Sequence, residues 1–142
     1  MLKSVVIEGN KASWVDVLRF VDRFPDDVTW LLWKSFVRTV IESGIEAGLD
    51  QYFRAGQSMQ HIIFSTCERH GLEDFSPAPP RVTLGRRKSG SMFVGWSHYN
   101  VWFHDPEHEE TVTSGNALPV LKGYLADLWR ETRPIAPVPF DV

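Results

Sequence analysis

Residues 104–110 concentrate side chains of the types that bind metal ions. Two imidazoles and four carboxylates fall within these seven positions, and zinc and manganese accept both kinds of ligand. His104 and His108 would share one face of a helix, but Pro106 disfavours a helix through them. The spacing therefore favours a solvated polar turn. The alternative is a metal-binding domain or metal-dependent hydrolase with ligands from His98, His104, Asp105, Glu107 and His108.

Three adjacent cations, Arg86, Arg87 and Lys88, precede a Ser-Gly pair that favours a turn. Cations at the tip of a hairpin can dock a phosphate group or an acidic surface, although most such charges are simply solvated. Their separation from the acidic residues at 105–110 gives the surface a basic and an acidic patch. Such a charge distribution suits the steering of a complementary protein.

Aromatic residues are abundant, with six tryptophans and nine phenylalanines in the chain. Trp96, Tyr99 and Trp102 span two predicted neighbouring strands and the possible turn between them, and we take them as candidate binding residues because aromatic rings are enriched in interfaces and ligand pockets. The competing interpretation is cross-strand packing in the core. A further alternative is a pocket for a small apolar ligand, with Trp96 and Trp102 at its wall.

The sequence lacks the motifs of several enzyme classes. It contains no Gly-x-x-x-x-Gly-Lys-Ser/Thr loop, no Gly-x-Gly-x-x-Gly, no Cys-x-x-Cys, no His-Glu-x-x-His and no Gly-x-Ser-x-Gly. The sequence therefore contains no motif that would support nucleotide hydrolysis, dinucleotide chemistry or serine hydrolysis. We predict no cofactor, and a non-catalytic role is favoured over an enzymatic one.

Hydrophobic periodicity assigns the elements that precede the cations. Residues 3–8 are a β-branched run closed by Gly-Asn and are predicted to form a strand. Residues 13–24 and 27–44 carry apolar side chains at helical spacing, with a strand at 28–33 as the alternative. Residues 58–71 are predicted to form a helix, because a serine can cap it and its apolar residues make a stripe. The first half is therefore predicted to be mainly helical.

The second half is predicted to form a sheet followed by one helix. Short strands are expected at 81–88, 91–98 and 101–103, with a small edge strand at 111–113. Four leucines between Leu118 and Leu128 line one side of a final helix, whose first turn can accept a proline.

Length and composition predict a single domain. The chain has 142 residues, of which 43% are hydrophobic and 23% are charged, a balance that permits a buried core. We assign one α+β domain to residues 1–132 and an extended, proline-rich tail to residues 133–142. The predicted architecture is a three- to four-stranded, mainly antiparallel sheet packed by about four helices.

Net charge and cysteine content limit the classes of binding partner and the cellular compartments that we expect for this chain. A formal net charge of −3 argues against sequence-independent binding to nucleic acid. The single cysteine, Cys67, cannot form an intramolecular disulfide, and no apolar run has membrane-spanning length, so we expect a cytoplasmic protein without a membrane partner. We predict a small protein-binding domain, for example a bacterial immunity or regulatory partner protein. A homo-oligomer is compatible with this prediction.

Overall fold

A computed structural model describes residues 2–58, 60–67, 80–97 and 108–142. The helices are α1 (Ser4–Asp22), α2 (Val28–Glu46) and α3 (Ala117–Thr132), with a one-turn 3-10 helix at Leu49–Gln51. The strands are β1 (Arg54–Ser58), β2 (His61–Ser65), β3 (Arg81–Arg86), β4 (Met92–Ser97) and β5 (Glu109–Val112). Within these ranges, no helix combines the length and the hydrophobicity needed to cross a membrane.

The strands form one antiparallel sheet in the order β1-β2-β3-β4-β5. The α+β class is confirmed, but the described part of the chain has five strands rather than three or four, and three α-helices rather than about four. Strands β3 and β4 confirm the strands predicted within residues 81–98, and β5 confirms an edge strand near residues 111–113. The strand predicted at 101–103 lies outside the described residues.

Residues 3–8 lead into helix α1 and do not form the predicted strand. The β-branched residues at 5–7 favour a strand locally. The helix nevertheless buries one continuous face, formed by Val6, Asn10, Ser13, Trp14, Val17 and Val21. Burial of this face outweighs the local strand preference, and the helix predicted at 13–24 is the second part of this longer helix.

Helix α2 begins after Asp27, whose carboxylate accepts a hydrogen bond from the Trp30 amide at 3.1 Å. Its buried apolar residues are Trp33, Phe36, Val37, Val40 and Ile41. They recur at helical spacing, so burial reinforces the local pattern. The helix predicted at 27–44 is confirmed, and the strand alternative at 28–33 is wrong.

The helix predicted at 58–71 is wrong over the part of it that the structure describes. Residues 54–58 and 61–65 instead form the β1–β2 hairpin, in which Ser58 pairs with His61. Ile62, Ile63 and Phe64 of β2 are all fully buried. Because neighbouring residues of a strand face opposite sides, a strand buried on both sides carries an unbroken apolar run that hides its period of two.

The core lies between the helices and one face of the sheet. Its strand residues are Ala55, Ile62, Phe64, Val82, Leu84, Val94 and Val112, which share that face. Helix α3 adds Leu121, Leu125 and Leu128, which are fully buried. The predicted final helix is therefore confirmed, with Pro119 in its first turn.

Residues 133–142 contain no helix or strand, but they contact the body of the domain. Arg133 donates from Nη2 to the carbonyl oxygen of Thr66 at 3.1 Å, and the indole of Trp129 donates to the carbonyl oxygen of Ala136 at 3.2 Å. The Phe140 ring stacks on Tyr52, with ring centroids 6.2 Å apart. The tail therefore folds back toward the start of β1.

Candidate functional site

The loop between β3 and β4 lies at the centre of the candidate site. Its ends are joined by a hydrogen bond from the Arg87 amide to the Ser91 carbonyl oxygen at 2.8 Å. Gly90 has a φ of 98°, a left-handed conformation that glycine accepts without strain, and the predicted Ser-Gly turn is confirmed. Residues 86–88 line one concave surface and residues 90–92 line another.

Arg87 holds the hairpin against the edge strand β5. Its Nε donates to Glu109 Oε1 at 3.0 Å, and its Nη2 lies 2.8 Å from the same oxygen. Its Nη1 donates to Ser91 Oγ at 3.2 Å and to Thr111 Oγ1 at 2.8 Å, and its guanidinium lies 5.2 Å from the centroid of the Phe93 ring. The carboxylate of Glu109 offsets the charge of Arg87, so this arginine stabilises the hairpin.

The first concave surface, here called the basic pocket, has a volume of about 320 Å³. Its lining residues are Gln60, His61, Arg86, Arg87 and Lys88. None of these described lining residues is acidic, and Lys88 is exposed. The structure therefore places the predicted cations beside a histidine and an amide from the β1–β2 turn, which the sequence analysis did not select. Sequence alone gave no signal for this, because residues 60 and 86 meet only through the sheet.

The second concave surface, here called the apolar groove, has a volume of about 620 Å³. Leu32 and Phe36 of α2 form one wall, and Met92 and Val112 of the sheet form the other. Serine and threonine residues complete the lining, among them Ser35 of α2. No charged residue is among the described residues that line the groove, so it can accept apolar side chains without burying a charge.

Three apolar residues in the first two turns of α2 face solvent, and we call them the α2 patch. Val28 is 92% exposed, Leu31 is 47% exposed and Leu32 is 77% exposed. Exposed apolar patches of this kind mark interaction sites on folded proteins. These residues were not among the predicted site residues, although the sequence holds a signal for them: apolar residues outside the core stripe of a surface helix indicate a second contact surface.

Trp96 is the described member of the predicted aromatic set. Its ring centroid lies 6.4 Å from that of Tyr124, and both rings line a hollow of about 520 Å³ together with His108, Glu110 and Asp127. Burial, and after it the negative charge of Glu110, raises the pKa of the Tyr124 hydroxyl. The described lining of this hollow is mixed and charged, which favours polar ligands over purely apolar ones.

The remaining predicted site residues lie outside the described residues. They are Tyr99 and Trp102 of the binding set and His98, His104, Asp105 and Glu107 of the metal set. His108, the described member of the metal set, is exposed just before β5. Across the described ranges, no group of three or more histidine, cysteine, aspartate and glutamate side chains is arranged to hold a metal ion. The metal-binding alternative stays a prediction.

Comparisons with protein family models, curated proteins and solved structures find no match to this chain. The apolar groove and the α2 patch can bury apolar groups of a ligand. The basic pocket, on the other side of the same loop, can bind an anion.

Proposed function

We propose that this chain is a non-catalytic domain that binds another protein, and that an apolar segment of the partner with an acidic end occupies the apolar groove. The main observation behind this proposal is that Leu32, which lines the groove, is 77% exposed. Complete burial of a leucine side chain contributes about 1.5–3 kcal/mol. Burial of Leu32 by a partner would therefore stabilise the complex, whereas in the isolated domain most of this side chain stays in contact with water.

The α2 wall of the groove supports a helical partner segment. Leu32, Phe36 and Thr39 follow one another along α2 at spacings of four and three residues, which spans about 10 Å at 1.5 Å per residue. An amphipathic helix presents apolar side chains at the same intervals, and such helices commonly lie in apolar grooves. We therefore commit to an amphipathic helix of a partner protein as the occupant.

Charge near the groove supports an acidic end on that helix. The loop that bounds the groove at Gly90 also carries the exposed Lys88. On the opposite flank of α2, Lys34 lies 2.6 Å from Asp26, and Arg38 lies 2.6 Å from a carboxylate oxygen of Asp22. These two α2 cations are paired with carboxylates, and the exposed Lys88 on the hairpin loop favours an acidic residue at that end of the partner.

The proposal includes a cellular role of the kind served by bacterial immunity or regulatory partner proteins. Such proteins act by covering a surface of their partner and need no catalytic group. We place this role in the cytoplasm, where a thiol such as that of Cys67 stays reduced.

Selection from a display library of random peptides tests the proposal, because it does not require the partner to be identified first. We expect the purified domain to enrich peptides with apolar residues at helical spacing and acidic residues at one end. Leu32→Ser is expected to weaken the binding of the enriched peptides by about tenfold or more, because it removes the buried leucine.

Val5→Ser is the control, because Val5 of α1 is an apolar residue that is 74% exposed and lies neither in the groove nor in the α2 patch. It is expected to change the affinity less than about threefold. Equal loss in both variants, or no enrichment on the unaltered domain, would contradict the proposal. If Leu32→Ser instead converts a dimer to a monomer in sedimentation experiments, the groove is occupied by a second copy and the proposed partner is wrong.

A further inference from the structure

The hollow that Trp96 and Tyr124 line lies between α3 and the strands β4 and β5, and its volume is about 520 Å³. On the sheet side, Trp96 and Glu110 line it. The register places both on the face that packs against α3, because Glu110 pairs with the core residue Val94 and Trp96 follows Val94 by two positions. On the helix side, the Tyr124 ring contacts that of Trp96, with centroids 6.4 Å apart. Sheet and helix therefore bring these side chains to one space.

A glycine on α3 keeps the hollow open. The helix residues that line the hollow recur every three or four positions, and Gly123 lies in the middle of this stripe. A Cβ at Gly123 would meet no described residue within 4 Å, whereas a Cβ at Gly9 of α1 or Gly44 of α2 would contact a neighbouring side chain. Glycine costs about 1 kcal/mol relative to alanine inside a helix. Packing of the described residues does not account for Gly123, whereas a ligand that lies against the helix backbone would.

The described side chains that line the hollow carry a net negative charge. The Asp127 carboxylate and the Arg130 guanidinium form an ion pair at 2.9 Å, so each offsets the charge of the other. The Glu110 carboxylate forms no hydrogen bond or ion pair within the described part of the chain. With His108 neutral, two carboxylates and one guanidinium leave a net charge of −1. The hollow is therefore matched in charge to a single cation.

The electrostatic environment of the Tyr124 hydroxyl agrees with this charge. Burial is the largest cause that raises its pKa, and the carboxylates of Glu110, Glu109 and Asp127 each raise it further. These carboxylates belong to both β5 and α3, so the negative potential comes from both walls of the hollow. A positive charge placed beside the hydroxyl would be attracted by the same carboxylates.

We infer that this hollow binds a monovalent organic ammonium ion, with its N–H groups on the Glu110 carboxylate and its carbon atoms against Trp96 and Tyr124. Aromatic rings suit such a ligand, because they attract cations and also cover apolar groups. A metal ion suits the hollow less well, because no group of three or more metal-binding side chains is found across the described ranges. The ammonium group belongs either to a free amine or to a lysine side chain of a protein.

The inference goes beyond the proposed protein binding and does not depend on it. The hollow and the apolar groove share none of their described lining residues. Leu32→Ser is therefore expected to leave ammonium binding unchanged even if it abolishes peptide binding, so the two proposals can fail separately.

Titration of the isotopically labelled domain with benzylamine, which is protonated at neutral pH, tests the inference by NMR. We expect saturable shifts of the Gly123 amide and Trp96 indole signals, with a dissociation constant of about 1 mM or lower. Benzyl alcohol has nearly the same shape without the charge. It is expected to bind about fivefold more weakly or worse, because it cannot form the ion pair with Glu110.

Glu110→Gln tests the role of the carboxylate and is expected to weaken benzylamine binding by about fivefold or more. Glu8→Gln is the matched control, because Glu8 is an exposed glutamate of α1, which packs on β1 at the opposite edge of the sheet from β5. It is expected to change the affinity less than about twofold, because salt screens charges at this separation.

Gly123→Leu tests the space itself without any change of charge. The leucine side chain is expected to occupy the hollow and to weaken benzylamine binding by about tenfold or more. Gly123→Ala is its control, because it adds only a Cβ, and a change of less than about threefold is expected. Circular dichroism and thermal unfolding check that every variant is folded.

Four results would each overturn the inference: no saturation by benzylamine at about 20 mM, equally tight binding of benzyl alcohol, equal affinity loss in Glu110→Gln and Glu8→Gln, or unchanged affinity in Gly123→Leu. A peptide with a single lysine and blocked termini distinguishes the two sources of the ammonium group. Binding about tenfold or more tighter than that of benzylamine assigns the site to a lysine side chain of a protein. Weaker binding than this assigns it to a free amine. Both results support an ammonium site.

Discussion

The hydroxyl of Ser13 joins α1 to the first strand of the sheet. It donates to the Asn10 carbonyl oxygen at 2.6 Å and accepts from the Ala55 amide at 2.9 Å. Both bonds are buried, so water cannot replace them when the hydroxyl is absent. One small polar side chain thus satisfies a backbone amide at the base of the hairpin that carries Gln60 and His61.

Replacement of Ser13 by alanine is expected to lower the free energy of unfolding by about 1–3 kcal/mol, because it leaves the Ala55 amide buried without its acceptor. Urea denaturation of the variant measures the loss. Ser35→Ala is the control, since Ser35 is an exposed serine on a helix. A change of less than about 0.5 kcal/mol is expected there. Equal stability of the two variants would show that the Ser13 hydroxyl bonds contribute nothing.

Individual site residues were predictable from the sequence only where their chemistry is local. Arg86, Arg87 and Lys88 were found because three cations adjoin a Ser-Gly turn. The ion pair between Arg87 and Glu109 was not predictable, because it joins residues that meet only after β5 pairs with β4. The same reason hid His61, which reaches the basic pocket through the register of β2 and β3.

At the scale of elements, the sequence predicted those whose local preference agrees with their burial. Helices α2 and α3 and strands β3 and β4 belong to this group. In residues 3–8 and residues 60–67, the local preference and the burial disagree. In the first, a strand-forming run is helical because one face of α1 is buried, and in the second, an apolar run is a strand because both of its faces are buried. Periodicity cannot show burial by a distant element.

The close packing of α1 and α2 makes a prediction at this scale. A Cβ at Gly44 would lie 2.6 Å from Cζ3 of the buried Trp14, whose indole is held by its hydrogen bond to Phe53. Overpacking of a core costs about 1–3 kcal/mol, whereas alanine gains about 1 kcal/mol over glycine in a helix. We therefore expect Gly44→Ala to lower the free energy of unfolding by about 1 kcal/mol.

Gly123→Ala supplies the comparison for that variant. A Cβ at Gly123 meets nothing within 4 Å, so only the helix preference operates, and a gain of about 0.5–1 kcal/mol is expected. Denaturant unfolding of both variants under the same conditions gives the two signs directly. Stabilisation by Gly44→Ala to the same extent as by Gly123→Ala would exclude the close contact between the helices.

At the scale of the whole molecule, the two concave surfaces result from segments that are distant in the chain. The apolar groove needs α2 beside the ends of β4 and β5, and the basic pocket needs the β1–β2 turn beside the β3–β4 loop. Neither arrangement leaves a local pattern in the sequence. The sequence could predict the fold class and the basic loop, but it could not predict which surfaces the assembled sheet would bring together.

The tail provides the test at this scale. Phe140 is half-buried, stacks on Tyr52 and meets the buried ring of Phe53 edge-on, with ring centroids 5.8 Å apart. Deletion of a fully buried phenylalanine side chain costs about 3–5 kcal/mol, so Phe140→Ala is expected to cost about 1–2 kcal/mol and to lower the thermal midpoint by roughly 2–8 °C. Ile135→Ala is the control, because Ile135 is 99% exposed in the same tail and its removal is expected to leave the midpoint within about 1 °C.

If both variants unfold at the temperature of the unaltered protein, the tail adds nothing to the stability of the core, and the domain ends with α3. If only Phe140→Ala unfolds earlier, the tail is part of the cooperative unit.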